Sequence, residues 1–280
     1  MDNQKLEIPC SYQGGKSRLA KEIIDIILKE NPCLLNNNNN TKFYDLCCGS
    51  GAISIELINR GVNPKKIVML DKGVFGLFYK MVGEGTFEMN KLKQYIEDIP
   101  KDKDEIQKHL HNINRNPLIE DYVYQFLLLQ AGSFGGKQIS IKNENEWIKA
   151  TFCGYWMPTE TSSRRYPRNP MMPMPETIYK RTKIASEFMK GVLGINDDIS
   201  SINIEENSIV YIDPPYINTS TYKDGFDISE LITTIKNCKI YVSEGLALCD
   251  NTICLSKGRT KGGISGNRKK KPNEEWLSMF

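Results

Sequence analysis

The 280-residue sequence predicts an α/β fold in which short buried strands alternate with helices. Three observations support this prediction. The apolar, β-prone stretch 210–212 runs into Asp213 and two prolines, which end the strand. Residues 43–51 form a strand and a glycine-rich turn that lead into a helix over about 52–60, and a strand over 65–70 ends at Asp71. Open α/β sheets bind ligands at the carboxyl ends of such strands.

The residues after the first of these strands form a compact polar and aromatic unit. Asp213 is followed by Pro214, Pro215 and Tyr216. Because consecutive prolines are stiff, the Pro214 carbonyl and the Tyr216 ring are expected at a fixed offset from the carboxylate. Two hydrogen-bond acceptors beside a flat apolar face suit an exocyclic amine on a planar base. The alternative is a proline-terminated strand that merely enters a loop.

Composition limits the class of protein. The net charge is only +3, so nucleic-acid binding would require local clusters of basic residues. The cysteines include no Cys-x-x-Cys pair, and His109 and His111 are the only histidines, so we expect no metal site and reduced thiols. No stretch approaches the length of a membrane span, which predicts a soluble protein of the cytoplasm.

The N-terminal motif runs from Tyr12 through Gly14 and Gly15 to Lys16, before a predicted amphipathic helix over roughly 17–30. A nucleoside-triphosphate loop would need glycine six residues before the lysine and a preceding strand. Position 10 is cysteine and no strand is predicted there, so that interpretation is rejected. The remaining alternatives are a ligand-binding motif or a simple glycine turn before a helix.

The glycine turn contains Asp45, Gly49 and Gly51, and Asp71 follows about 20 residues later. Glycine lets the backbone approach a ligand where a side chain would block it. An acid at this distance takes ribose hydroxyls in dinucleotide-binding folds. A nicotinamide enzyme would carry a third glycine at position 54, which is serine. Asp45 and Asp71 have an alternative interpretation, as acidic residues in turns at the ends of strands.

The middle of the chain, 86–195, has a different pattern. Residues 87–112 alternate charged and apolar positions as a solvated helix does, and 122–130 form a buried apolar run. Loop-rich residues 151–175 carry arginines and prolines, and a helix over roughly 176–190 follows. Arginine reads guanine edges and binds phosphates, although a solvated arginine cluster has the same composition.

The C-terminal part predicts a helix over 227–236 and strands over 239–242, 252–256 and 275–280. Between the last two strands, residues 257–271 are glycine-rich and basic, with no acid. We call this segment the basic arm. A glycine-rich basic hairpin is suited to lie along phosphates, and a solvated charge run is the alternative.

The order of these motifs resembles the Dam-type, alpha-group (D12 class) N6-adenine DNA methyltransferases of bacteria and phages. The match is strong over 10–71 and 208–280. It implies a Rossmann-like fold with a mostly parallel seven-strand sheet and one antiparallel strand. It also implies a catalytic domain of 1–85 and 196–280 and a helical and loop-rich target-recognition insert of 86–195. Cys47 replaces the family's phenylalanine, and the insert lacks a Cys-Arg-Tyr-Asn-like stretch, so GATC recognition is not implied.

The resemblance assigns roles residue by residue. The implied catalytic residues are Asp213, Pro214 and Tyr216. The implied binding residues for S-adenosylmethionine are Tyr12, Lys16, Asp45, Gly49, Gly51, Asp71 and Asp213. The implied contacts to double-stranded DNA are Lys137, Arg164, Arg165, Arg168, Arg259, Lys261, Arg268, Lys269 and Lys270.

Other functions use similar motifs. An N4-cytosine methyltransferase more often carries serine in place of Asp213, and a protein-glutamine or RNA methyltransferase favours asparagine there. A non-catalytic DNA-binding subunit could keep the fold, although the intact Asp213, Tyr216 and Lys16 favour an enzyme. We further expect a monomer or weak dimer. Two settings remain open: a restriction-modification system with a cognate restriction endonuclease as the partner, and a solitary phage enzyme.

Overall fold

The computed structural model describes residues 5–143, 146–148, 152, 171–214, 228–257 and 274–280. Within them the helices are α1 (Ala20–Glu30), α2 (Ala52–Asn59), α3 (Val74–Glu84), α4 (Met89–Glu97), α5 (Lys103–Arg115), α6 (Tyr122–Gly132), α7 (Pro175–Phe188) and α8 (Ile228–Thr234). The strands are β1 (Phe43–Leu46), β2 (Ile67–Leu70), β3 (Ile141–Asn143), β4 (Glu146–Trp147), β5 (Leu193–Ile195), β6 (Ile209–Ile212), β7 (Lys239–Glu244), β8 (Thr252–Ser256) and β9 (Glu275–Met279). None of these helices combines the length and apolar character that a membrane crossing needs.

Seven strands form one sheet in the order β5-β2-β1-β6-β7-β9-β8. Strands β5, β2, β1, β6 and β7 are parallel to one another, and β9 is antiparallel to both β7 and β8. The predicted mostly parallel, Rossmann-like sheet is therefore confirmed. Strands β3 and β4 form a separate two-stranded sheet.

The register of the three central strands fixes where polar residues meet. Leu46, the last residue of β1, lies opposite Leu70 of β2 and Ile212 of β6. The residues that follow these strands therefore leave the sheet at one edge, its carboxyl edge. Two backbone bonds extend the alignment, from Asp213 N to the Leu46 carbonyl (3.3 Å) and from Cys48 N to the Leu70 carbonyl (3.0 Å).

Both faces of the sheet are buried, which explains why the strands are apolar along their whole length. In β6, Ile209 and Tyr211 belong to one hydrophobic cluster and Val210 and Ile212 to the other. The larger cluster includes residues of α1–α7, whereas the smaller one includes Ile228 of α8. The carboxyl edge is therefore the end of a sheet that is packed on both faces.

The single solvated helix expected over 87–112 is wrong, because two helices, α4 and α5, occupy that region. Pro100 lies between them, and proline disfavours a helical residue before it. Asp102 caps the N-terminus of α5, since its side chain accepts hydrogen bonds from Asp104 N (2.8 Å) and Glu105 N (3.3 Å). The apolar run at 122–130 forms the buried helix α6.

Strand β5 was not predicted from the sequence. It is three residues long and contains Gly194, so it carries almost no periodic signal. The sheet nevertheless needs glycine there: a β-carbon on Gly194 would overlap the backbone of Lys80 in α3. A β-carbon on Gly83 would likewise overlap the carbonyl of Val192. Close packing of α3 on β5 therefore completes the edge of the sheet beside β2.

Candidate active site

Asp213 lies directly after β6, where the following proline ends the strand. Its side chain is 18% exposed, and its Oδ1 lies 2.5 Å from Lys16 Nζ. Lys16 belongs to the N-terminal segment just before α1 and is 7% exposed. The structure thus joins two of the predicted site residues in a largely buried ion pair, although 197 positions separate them in sequence.

A second carboxylate contacts the same lysine. Glu275 Oε1 lies 3.5 Å from Lys16 Nζ, and the Glu275 side chain is 14% exposed. Sequence reasoning missed this residue. The position of Glu275 at the start of the last predicted strand could have indicated it as a site residue. An antiparallel strand begins at the edge of the sheet where its parallel neighbours end. Glu275 begins β9, which pairs with β7 so that Trp276 lies opposite Glu244 at the end of β7.

The electrostatic setting raises the pKa of Asp213 to about 6. Burial is the main cause, since it penalises the charged form. Lys16 opposes the rise through its charge and its hydrogen bond, whereas the charges of Glu275 and Glu244 add to it. Near neutral pH the carboxylate is ionised, but it is a stronger base than a solvated aspartate.

The glycine loop curls over the ends of β1 and β2. Gly49 and Gly51 have φ values of 48° and 74°, and Cys47 has φ of 60°, an uncommon conformation for a residue with a side chain. Gly51 N donates to the Cys48 carbonyl (2.8 Å), and the Tyr79 hydroxyl donates to the Ser50 carbonyl (2.5 Å). A β-carbon on Gly51 would overlap Tyr79, so the loop requires glycine there.

Asp71 holds this loop from the neighbouring strand. Its Oδ2 accepts a hydrogen bond from Gly49 N (2.8 Å), and its Oδ1 accepts one from Gly73 N (2.7 Å). Burial raises the pKa of Asp71, and the two backbone donors oppose the rise. Each carboxylate oxygen can accept a further hydrogen bond. Asp71 is therefore placed to fix the loop and to accept hydrogen bonds from a ligand beside it.

Asp45 has a different environment. It is 1% exposed, and its Oδ2 accepts hydrogen bonds from Ser54 N (3.2 Å) and Ser54 Oγ (2.6 Å) in the first turn of α2. Burial is the main cause of its raised pKa, about 7. These contacts tie β1 to α2 and so stabilise the entry to the glycine loop.

The N-terminal motif packs on the same loop. The Tyr12 ring contacts Phe75 edge to face, with centroids 5.4 Å apart, and a β-carbon on Gly49 would lie 3.0 Å from the Tyr12 ring. A β-carbon on Gly15 would lie 3.1 Å from Ser50 Oγ. Tyr12, Lys16, Gly49 and Asp71 therefore surround one part of the carboxyl edge.

Lys137 is exposed on the turn that follows α6. This turn is attached to the N-terminal motif, because Gln13 N donates to the Gly136 carbonyl (2.7 Å). Gln130, which is fully buried, donates through Nε2 to the carbonyls of Ser11 (3.1 Å) and Lys137 (3.1 Å). The middle region is thereby anchored beside Tyr12.

The other predicted residues lie outside the described part of the chain. They are Tyr216 of the catalytic motif, Arg164, Arg165 and Arg168 of the middle region, and Arg259, Lys261, Arg268, Lys269 and Lys270 of the basic arm. Pro214 is described and buried. Within the described residues, no group of His, Cys, Asp and Glu side chains is arranged to hold a metal ion.

Comparison with known proteins agrees with this arrangement. A family model described as D12 class N6 adenine-specific DNA methyltransferase matches residues 12–254, which include every described site residue except Glu275. A search of curated proteins found no match. The family description favours adenine N6 over cytosine N4 and favours an enzyme over a non-catalytic subunit. The chain therefore belongs to the D12 class N6 adenine-specific DNA methyltransferases, enzymes that methylate adenine in DNA with S-adenosylmethionine as the methyl donor.

Proposed function

We propose that Asp213 and the Pro214 carbonyl are the groups that bind and activate the N6 amine of the target adenine. The observation that carries this proposal is the position of the Asp213 carboxylate, at the carboxyl edge and with Lys16 2.5 Å away. Adenine N6 is a poor nucleophile because its lone pair is delocalised into the ring. If the two oxygens each accept one N6 hydrogen, the nitrogen can become pyramidal and its lone pair becomes available.

The raised pKa of Asp213, about 6, supports this role. A carboxylate that is ionised at neutral pH and partly desolvated is a strong hydrogen-bond acceptor. It is also fixed by the end of β6, so it needs little reorganisation when the amine arrives. Preorganised electrostatic contacts of this kind are a large part of enzymatic rate enhancement.

The residues around the glycine loop fit S-adenosylmethionine. Ser50 is 1% exposed, and its Oγ has no hydrogen-bond partner among the described residues, as expected for a group that meets a polar ligand. We propose that Asp71 accepts ribose hydroxyls and that Tyr12, Gly49 and Gly51 form the adjoining surface. Asp45 supports the loop through Ser54. When bound, S-adenosylmethionine supplies an electrophilic methyl group on its sulfonium.

We propose that the target adenine leaves the double helix to reach Asp213, because a base stacked in the duplex cannot reach a largely buried carboxylate. Stacking on Tyr216 would offset part of the cost of unstacking, by roughly 1–3 kcal/mol. Residues 86–195 act as the target-recognition insert between the catalytic parts 1–85 and 196–280. The exposed Lys137 of this insert lies beside the N-terminal motif, because its turn is attached to that motif.

For the basic residues outside the described ranges, we propose two separate roles. Arg164, Arg165 and Arg168 read bases, because arginine pairs with guanine edges. Arg259, Lys261, Arg268, Lys269 and Lys270 bind phosphates, since no acid lies between 257 and 271 to pair with them locally.

The protein's setting is a further proposal. We infer a cytoplasmic enzyme that acts as a monomer or weak dimer and protects DNA from a cognate restriction endonuclease. The free cysteines of the described residues are compatible with a reducing compartment. Sedimentation of the purified protein would give its oligomeric state, and cleavage of methylated and unmethylated DNA by the candidate nuclease would test the partnership.

The test of the catalytic proposal is transfer of a labelled methyl group to duplex DNA by Asp213→Ala. We expect methylation to be abolished while binding of DNA and of S-adenosylmethionine is largely retained. Activity within about threefold of the wild type would refute the role of Asp213, since losing one preorganised contact reduces rates on the order of 100-fold or more.

A further inference from the structure

Three charged side chains from distant parts of the chain meet at the carboxyl edge. Lys16 precedes α1, Asp213 follows β6 and Glu275 begins β9. Lys16 Nζ lies 2.5 Å from Asp213 Oδ1 and 3.5 Å from Glu275 Oε1. The first distance is a short hydrogen bond, whereas the second is an ion pair without a full hydrogen bond. Lys16 is therefore held between two carboxylates, closer to Asp213.

The contact to Lys16 weakens Asp213 as an acceptor for the adenine amine. The carboxylate has acceptor positions besides the one that Lys16 contacts, but the Lys16 ammonium at Oδ1 lowers the basicity of the whole group. Lys16 cannot simply lose its anionic partner, since its side chain is 7% exposed and a buried unpaired charge is strongly unfavourable. A second anionic acceptor within reach would allow Lys16 to move away from Asp213, which would raise the basicity of the Asp213 carboxylate.

We propose that Glu275 is a positioning residue that takes over Lys16 when the adenine amine binds Asp213. This inference rests on the proposed role of Asp213. Lys16 Nζ needs to move by less than about 1 Å to reach the distance of a charge-assisted hydrogen bond to Glu275 Oε1. The transfer leaves Lys16 paired throughout and makes Asp213 a stronger acceptor for the substrate amine.

Glu275 suits this role better than the neighbouring Glu244. Lys16 forms an ion pair with Glu275, at 3.5 Å, in addition to its contact with Asp213. Because β9 is antiparallel to β7, its first residue faces the site from the far side of β7.

Several charges surround Asp213 and together set its proton affinity. Lys16 faces it from the N-terminal segment, Glu244 from β7 and Glu275 from β9. Asp45 in β1 also interacts with it. Lys16 lowers the pKa of Asp213, whereas Glu275 and Glu244 raise it. Removing the charge of Glu275 alone must therefore lower the pKa of Asp213 and leave Lys16 bound to it.

The test is Glu275→Gln in the full-length protein, which removes the charge and keeps the shape. We expect kcat for DNA methylation to fall about tenfold, the effect of about 1.4 kcal/mol, with KM for DNA within about twofold of the wild type. The acidic limb of the pH profile of kcat/KM should move to lower pH. A residue that only stabilised β9 would not move this limb.

The matched control is Glu274→Gln, because Glu274 precedes Glu275 but accepts a hydrogen bond from Trp276 Nε1 (3.1 Å). It should retain wild-type kcat and the wild-type pH profile. Glu275→Asp keeps the charge, so its acidic limb should stay in place while kcat falls by a smaller factor. If Glu275→Gln does not fold, the kcat and pH profile of Glu275→Asp test the inference.

A double-mutant cycle tests the route through Lys16. If Glu275 acts through that lysine, Lys16→Met/Glu275→Gln should have the same kcat as Lys16→Met. If the two substitutions reduce kcat independently, so that their factors multiply in the double variant, the inference is overturned. An unchanged kcat and pH profile in Glu275→Gln would also overturn it. Asp213→Asn separates the two proposals: if it retains activity the proposed function fails, whereas an inactive Asp213→Asn beside a normal Glu275→Gln overturns only the role of Glu275.

Discussion

The conversion of Asp213 to asparagine should inactivate the enzyme and at the same time stabilise its fold. The variant keeps the size of the side chain and one carbonyl acceptor, but it removes the negative charge that the adenine amine would meet. We expect kcat to fall on the order of 100-fold. The same charge is unfavourable in the folded protein, because burial raises the pKa of Asp213 from its ordinary value of 3.8 to about 6.

That shift sets the size of the stability effect. Each pKa unit corresponds to about 1.36 kcal/mol, so roughly two units give about 3 kcal/mol as an upper bound above pH 6. This bound already includes the opposing effect of Lys16, and relaxation of the surrounding structure reduces the gain below the bound. We expect a net stabilisation of about 1–2 kcal/mol at pH 8. In a chain of this size that raises Tm by roughly 2–5 °C.

The pH dependence follows from the direction of the shift. A carboxyl group whose folded-state pKa is raised contributes its stability fully below the unfolded pKa and loses it as pH rises through the folded pKa. In the wild type this loss occurs from about pH 4 to pH 6, since the pKa in the fold is about 6. The advantage of Asp213→Asn should thus be largest at pH 8 and shrink toward pH 5.

The assay is differential scanning calorimetry of both proteins at pH 5, 6, 7 and 8, together with methyl transfer at pH 8. Asp250→Asn is the matched control, because Asp250 is exposed and precedes β8 at the opposite edge of the sheet. It should alter neither Tm nor kcat. A wild-type Tm in Asp213→Asn, with no dependence on pH, would show that Asp213 is not held at a raised pKa.

Three further predictions address the cofactor, the base and DNA. Asp71→Ala should weaken S-adenosylmethionine binding by about 1.5–3 kcal/mol, measured by calorimetry, and unchanged affinity in a folded variant would make Asp71 a loop residue only. Tyr216→Ala should impair turnover more than Tyr216→Phe, because stacking needs the ring; equal losses would contradict stacking. Neutralising Arg268, Lys269 and Lys270 should weaken binding to all duplexes alike. Each lost phosphate contact should lower the slope of log affinity against log salt concentration by about 0.9. Replacing Arg164 should instead relax the sequence preference at one base position. Measuring affinity for cognate and scrambled duplexes at several salt concentrations separates these effects. An unchanged slope would show that the basic arm does not contact phosphates.

Local sequence determined the elements that carry the site. The strand before Asp213 is apolar at every position and two prolines stop it, so its end is fixed by short-range sterics alone. The glycine turn after Leu46 and the acid at the end of β2 are equally local signals. Because parallel strands align their carboxyl ends, these signals also predicted one common edge of the sheet.

Local sequence could not determine contacts between distant residues. The boundary between α4 and α5 depends on Pro100 and the cap at Asp102, which the amphipathic pattern obscured. Strand β5 exists because Gly194 allows α3 to pack against it, a requirement that appears only when the two backbones meet.

The partners of Asp213 were decided by tertiary structure in the same way. Lys16 contacts Asp213 although 197 positions separate them in sequence. Glu275 lies near both residues because β9 pairs with β7 in antiparallel register. Residue types and spacing predict which side chains can do chemistry at the end of a strand. Which charges surround them, and hence the raised pKa of Asp213, depends on burial and on strand order, and these arise only when the whole chain packs.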